Sequence, residues 1–127
     1  MSIMEGTRAL KVWAGDYDFA VDGGAASTIV LRSNDGPIPN AAIIVGGYLD
    51  VITSCASATG TMALNSEAAG DVLAATAAAG LTAGRKDIVP DATGSTAIKL
   101  TAARSPAVTI ATAAFTAGKF TLVLTYR

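Results

Sequence analysis

The chain has 127 residues, 51% hydrophobic and 15% charged, with nine Lys plus Arg against ten Asp plus Glu, a net charge of -1 and no histidine. That balance argues against a nucleic-acid binder, which needs a surplus of Lys and Arg on one face to neutralise phosphates. The missing histidine removes the commonest general base and metal ligand, and the one cysteine, Cys55, has no second cysteine for an internal disulfide or a zinc site. Average soluble domains carry roughly 25% charged residues. A sparser, near-neutral surface favours association, so this one reads as partly covered by copies of itself or by a partner. The opening residues, interrupted by Glu5, Arg8 and Lys11, contain no signal-peptide core. The longest apolar run, Ala41 to Leu49, is far too short to span a bilayer. We expect a soluble protein made in the cytoplasm, with no membrane or nucleic-acid partner and no cofactor.

Period-two alternation dominates the chain. Tyr17, Phe19 and Val21 alternate with Asp16, Asp18 and Asp22, which predicts a half-buried strand ending in a turn at Gly23-Gly24. Ser27 to Arg32 is the next strand, closed by the loop Asn34-Asp35-Gly36-Pro37-Ile38-Pro39-Asn40. Ala42 to Val45 opens a longer strand that bends or bulges at Gly46-Gly47 and resumes over Tyr48 to Thr53. Thr61 to Asn65 is a short strand after a turn. Further strands are expected over Asp87 to Val89, Ala97 to Ala102, Ala107 to Thr112 and Lys119 to Tyr126. The Ala-rich segment Glu67 to Leu81 is the exception. Its composition predicts a short helix or an irregular crossover, limited by Gly70 and Gly80 to about two turns, with Asp71 at its N-terminus. Eight or nine short strands at this spacing indicate an all-β, single-domain antiparallel β-sandwich or barrel. Residues 1–13 form an N-terminal arm or edge strand and residues 14–127 the sandwich.

Motifs that could carry chemistry fail on inspection. Asp16, Asp18 and Asp22 suggest a calcium loop, but Ala20, Val21 and Ser27 stand where an oxygen ligand, glycine and glutamate are required. Gly118-Lys119 lacks the earlier glycine and the following Ser or Thr of a phosphate loop. Cys55 has no neighbouring base in sequence and reads as a buried, inert thiol. No Ser-x-x-Lys pair occurs, and with 6% aromatic residues a sugar-cleaving carboxylate pair has little to stack its substrate on. No catalytic or metal-binding residues are expected; the chain does not read as an enzyme. Trp13 and Tyr17 support two readings. Either the first and last strands pair and share a core, or these aromatics anchor a partner interface. Leu10, Val12, Trp13 and Tyr17 are therefore the candidate interaction residues.

The succession Tyr17 to Gly24 (YDFAVDGG), the strand STIVLR, the loop GPIPNAA and Ile43 to Thr53 (IIVGGYLDVIT) resembles a family of small structural proteins of tailed-bacteriophage virions. Gly70 to Gly84, Thr96 to Ala102 and the closing Thr116 to Arg127 (TAGKFTLVLTYR) fit the same pattern, from about Ala14 onward. The family comprises head decoration (cement) and head-fibre proteins. The resemblance implies a jelly-roll sandwich that assembles as trimers and binds the major capsid protein on the surface of the virion. It brings no catalytic residues, and Met1 to Trp13 matches it least. Alternative roles are a tail, baseplate or head-fibre component, or a small carbohydrate- or receptor-binding module.

Overall fold

The computed structural model describes residues 10–90 and 95–127. Its elements in chain order are β1 (Lys11–Asp18), one helical turn α1 (Phe19–Asp22), β2 (Thr28–Val30), β3 (Ile43–Ala56), β4 (Thr61–Asn65) and β5 (Leu73–Ala77). A 3-10 turn (Ala78–Gly80), β6 (Gly84–Lys86), β7 (Ile98–Lys99), β8 (Ala107–Ala111) and β9 (Ala117–Tyr126) follow. The first sheet has the order β1-β9-β3-β6, with β7 also on β3; the second has the order β2-β8-β4-β5. Every ladder is antiparallel.

The pairing follows from one operation. Strands β1 and β9, β2 and β8, β3 and β6, and β4 and β5 pair in turn, so the chain is a long ribbon folded back at the β4–β5 turn. Rolling that ribbon brings β9 against β3 and β8 against β4, which closes two sheets over one core. That is a jelly roll. The all-β antiparallel sandwich expected from the sequence is the fold observed.

Alternation places the core. Trp13 and Tyr17 of β1, Leu49 and Val51 of β3, and Phe120, Leu122 and Leu124 of β9 belong to it. The second sheet contributes Met62 and Leu64 of β4 and Val108 and Ile110 of β8, and none of these side chains is more than 2% exposed. Burying each contributes about 1.5–3 kcal/mol before entropy is counted. The connections add Ile38, Val72, Leu81, Leu100 and Phe115 to the same cluster.

Four local expectations are revised. The first strand stops at Asp18, where α1 begins. The Asp18 carboxylate accepts from the Ala20 N–H at 3.0 Å and that of Asp22 from the Asp18 N–H at 2.9 Å, local bonds that compete with the ladder. Val21, expected on the buried face, is 66% exposed. Glu67 to Leu81 contains no α-helix. Leu73–Ala77 pairs with β4, and tertiary pairing outweighs the helix propensity of alanine. Asp71 does not start a helix; its carboxylate accepts from the N–H groups of Ser66, Glu67 and Ala68 and folds the β4–β5 turn. The strand expected at Asp87 to Val89 lies three residues earlier, where Gly84–Lys86 pairs with Leu49–Val51. Only Ile98–Lys99 of the run Ala97 to Ala102 enters a ladder. By contrast, the register shifts between Ile44 and Gly46, so the bulge sits where the paired glycines placed it. Gly47 takes φ 139°, and a Cβ there would collide with the Val123 carbonyl.

Candidate interaction surface

The four residues singled out near the N-terminus divide between two faces of β1. Trp13 and Tyr17 point inward and are each 1% exposed, whereas Leu10 and Val12 are 53% and 60% exposed. The polar tips of the two buried aromatics are satisfied by loop carbonyls. The indole Nε1–H of Trp13 donates to the Gly36 carbonyl at 2.8 Å, and the Tyr17 hydroxyl donates to the Gly23 carbonyl at 2.6 Å. Tyr17 also stacks on Phe120, with ring centroids 5.3 Å apart. These contacts make Trp13 and Tyr17 core residues shared by the first and last strands. Leu10 and Val12 remain as surface.

Leu10 lies on the rim of a groove of about 510 Å³ whose lining includes Gly46, Gly47, Asp87, Ile88, Pro90 and Thr125. The glycines of the β3 bulge supply backbone without side chains there, which opens the groove. Val12 pairs with Thr125 across the ladder, and Val89, between two lining residues, is 41% exposed. Leu10 and Val12 are thus exposed where β1 begins, beside the end of β9.

A larger cleft of about 630 Å³ runs between β1 and residues 32–35. Most of its polar groups already serve the fold. Asp16 and Arg32 exchange backbone hydrogen bonds at 2.8 and 3.1 Å, Asp35 accepts from the Ala14 N–H at 3.0 Å, and the Ser33 hydroxyl donates to the Ala14 carbonyl at 2.6 Å. The Arg32 guanidinium lies 3.1 Å from Asp22, whose hydrogen bond pushes the arginine pKa up. These bonds occupy the outer edge of β1, one way a sheet edge is shielded from further pairing. Glu67 forms a second clasp. It accepts from the Thr101 hydroxyl at 2.6 Å and the Thr101 N–H at 3.2 Å and pairs with Arg104 at 3.1 Å. The bonds from Thr101 hold the Glu67 carboxyl below its ordinary pKa.

Cys55 is 7% exposed, and burial pushes its thiol up to about 11. A Cβ built on Gly118 would lie 2.9 Å from its sulfur, so the thiol fills space left by a glycine. Among the described residues, no three of His, Cys, Asp or Glu come together as a metal site would require.

The two sheets differ in charge, and this division escaped the sequence reading. The first carries Lys11, Asp16, Asp18, Asp50, Arg85, Lys86, Lys99 and Lys119 in its strands, with the Arg85 guanidinium 4.1 Å above the Tyr48 ring. The second carries no charged residue in any of its four strands. Its outward side chains include Thr28, Val30, Ala63, Asn65, Thr109 and Ala111. The polar ones bond to each other: Thr28 and Thr109 hydroxyls lie 3.1 Å apart, and the Asn65 amide donates to Thr109 at 2.7 Å. The uncharged segments are visible in the sequence, but only the allotment of strands to sheets gathers them onto one face.

No family model matches the chain, and no curated protein matches it. Two chains of solved structures share its fold. One belongs to the acidic stable capsid structure of Helicobacter pylori bacteriophage KHP30, at 13% identity and a TM-score of 0.60 over 92% of this chain and 86% of that one. The other belongs to the capsid asymmetric unit of cyanophage Pam1, at 23% identity and a TM-score of 0.60 over 93% of this chain and 84% of that one.

Proposed function

We propose that this chain is a non-enzymatic structural protein of a bacteriophage virion, a decoration protein that binds the outside of the head shell and reinforces it. One observation carries the reading: over more than nine-tenths of its length the chain has the fold of chains found in two phage capsids. Those chains are themselves covered over 84% or more, so the likeness is to small capsid components and not to one domain of a large shell protein. The surface agrees with such a role. Its small, uncharged Ala and Thr side chains lose little entropy on being covered. Many copies on a lattice gain avidity from individually weak contacts. We assign the shell contact to the exposed Leu10 and Val12 with the adjoining groove, and expect trimers at the capsid surface. Of the arm 1–13, residues 1–9 lie outside the described residues; Lys11 to Trp13 belong to the edge strand β1.

A carbohydrate-binding role draws no support from Trp13 or Tyr17, because a sugar cannot stack on rings buried in the core. The test uses particles of the encoding phage that lack the protein. Purified wild type is expected to co-sediment with them, and Leu10→Asp with Val12→Asp to lose binding while keeping its thermal midpoint. Deletions should stop before Lys11, where the ladder with β9 begins. Wild type that fails to bind overturns the function, and a double variant that still binds overturns the assigned contact.

A further inference from the structure

We infer that Asp35-Gly36 is a site of spontaneous isoaspartate formation, and that the fold directs this modification there and away from Asp22-Gly23. The inference stands apart from the capsid reading and rests on the chemistry of the chain alone. An aspartate followed by glycine can close a five-membered ring. The glycine nitrogen attacks the aspartate Cγ, a C–N bond forms, and one carboxyl oxygen leaves as water. Water then reopens the succinimide. Opening at one carbonyl restores aspartate; opening at the other routes the main chain through Cγ as isoaspartate, with no net change in mass. Glycine favours the closure because no Cβ hinders its nitrogen. The Asp-Gly pair occurs twice in the sequence, and the folded surroundings of the two differ.

Asp22-Gly23 is restrained at both reacting groups. The Gly23 N–H donates to the Phe19 carbonyl at 3.0 Å, so the attacking nitrogen is engaged. The Asp22 carboxylate accepts from the Asp18 N–H at 2.9 Å and lies 3.1 Å from the Arg32 Nε, with its side chain 11% exposed. Ring closure needs nitrogen and carbon free to reach one defined geometry, and these bonds deny it. Two asparagines open to the same chemistry are restrained as well. For Asn34 the attacking nitrogen belongs to Asp35, whose N–H donates to the Ser33 hydroxyl at 3.0 Å. For Asn65 it belongs to Ser66, whose N–H donates to Asp71 at 2.8 Å.

Asp35-Gly36 differs on each count. Both residues are exposed, and Asp35 lines the cleft beside β1, where water reaches it. The Gly36 N–H has no hydrogen-bond partner among the described residues. Nothing lies within 4 Å of a Cβ built on Gly36. The Asp35 carboxylate is held by one bond, from the Ala14 N–H at 3.0 Å.

The product would disturb two contacts already described. Isoaspartate inserts a methylene into the main chain and turns Cγ into a main-chain amide. The Ala14 N–H then loses its carboxylate acceptor, which opens the shielded edge of β1. The Gly36 carbonyl, which holds the Trp13 indole at 2.8 Å, is displaced along with the lengthened chain. Trp13 is the sole tryptophan of the sequence, so its emission reports on this loop alone.

The test ages the full chain for weeks at neutral pH and body temperature, in buffer and in guanidinium. Isoaspartate is located by peptide mapping with fragmentation that separates the isomers, and counted with an isoaspartyl methyltransferase. In the native protein Asp35 is expected to convert about tenfold faster than Asp22, a barrier difference of about 1.4 kcal/mol. In guanidinium the two rates should converge. Isoaspartyl protein isolated by ion exchange should show red-shifted tryptophan emission and a lower urea midpoint. Asp35→Glu, whose longer side chain closes its ring far more slowly, should age without either change. Equal native rates at the two pairs, or faster conversion at Asp22, overturn the assigned site. A difference that persists in guanidinium overturns the role given to the fold. Isoaspartyl protein with the emission and midpoint of fresh protein overturns the coupling to Trp13.

Discussion

The indole of Trp13 folds across the bare Cα of Gly15, its neighbour on the inner face of the same strand. A Cβ on residue 15 would enter the ring, and the ring cannot swing aside without breaking its bond to the Gly36 carbonyl. Gly15→Ala is therefore expected to destabilise the fold by about 1–3 kcal/mol through overpacking, read as a lower urea midpoint. Gly46→Ala is the control. Its nearest neighbour would be the Thr125 hydroxyl at 3.4 Å, and the midpoint should move by less than half as much.

The β4–β5 turn depends on one carboxylate. Asp71 accepts from the Ser66 N–H at 2.8 Å, the Ser66 hydroxyl at 3.1 Å, the Glu67 N–H at 2.9 Å and the Ala68 N–H at 2.8 Å. Asp71→Ala strands these donors, and a loss of about 2–3 kcal/mol is expected in chemical denaturation. Asp71→Asn keeps acceptor capacity and should lose less. Equal losses would show that the turn is held by something other than these bonds.

Alkaline pH should unfold the protein through its core. Burial raises the Tyr17 pKa from 10.0 to about 12 and that of Cys55 from 9.0 to about 11. Between the unfolded and folded values the unfolded chain releases protons that the folded chain retains, so stability falls as pH rises. The decline begins near pH 9 with Cys55 and continues through pH 10 to 12 with Tyr17. Tyr17→Phe removes the upper part of that slope while costing about 1 kcal/mol at neutral pH for the lost bond to Gly23. An unchanged slope in Tyr17→Phe would assign the alkaline transition to other groups.

Cys55 should resist thiol reagents in the native state. Its sulfur is packed beside Gly118 and its pKa is high, so little thiolate is exposed to react. Labelling by a disulfide reagent at pH 8 is expected to follow unfolding and to become rapid and stoichiometric only in denaturant. Immediate labelling of the folded protein would contradict the packing.

Where one face of a strand is buried, the sequence carries the answer. Thr61–Asn65 is read residue for residue, and the closing strand to within two, because Met62 and Leu64, or Phe120, Leu122 and Leu124, can satisfy only one face of a sheet. Leu73–Ala77 was not legible. Alanine accepts a helix or a strand, and only β4 beside it decides between them. Period two also speaks on the candidate site: residues 13 and 17 share a face of β1, and residue 12 lies on the other. A surface built from Val12 and Trp13 together was thus already at odds with the alternation. The uncharged sheet needed more than alternation, because its strands are drawn from four separated segments.

The rolled ribbon has a consequence for synthesis. In the first sheet β9, made last, lies between β1, made first, and β3. Until Phe120, Leu122 and Leu124 leave the ribosome, Trp13 and Tyr17 lack the strand they pair with, and Tyr17 lacks the ring it stacks on. Folding cannot proceed strand by strand during translation; it waits for nearly the whole chain. The sequence separation of its pairings is high, so folding afterwards is expected to be slow compared with a helical protein of this size. During that interval the uncharged strands are exposed to other nascent chains, and yield in the host should depend on the rate of synthesis and on growth temperature.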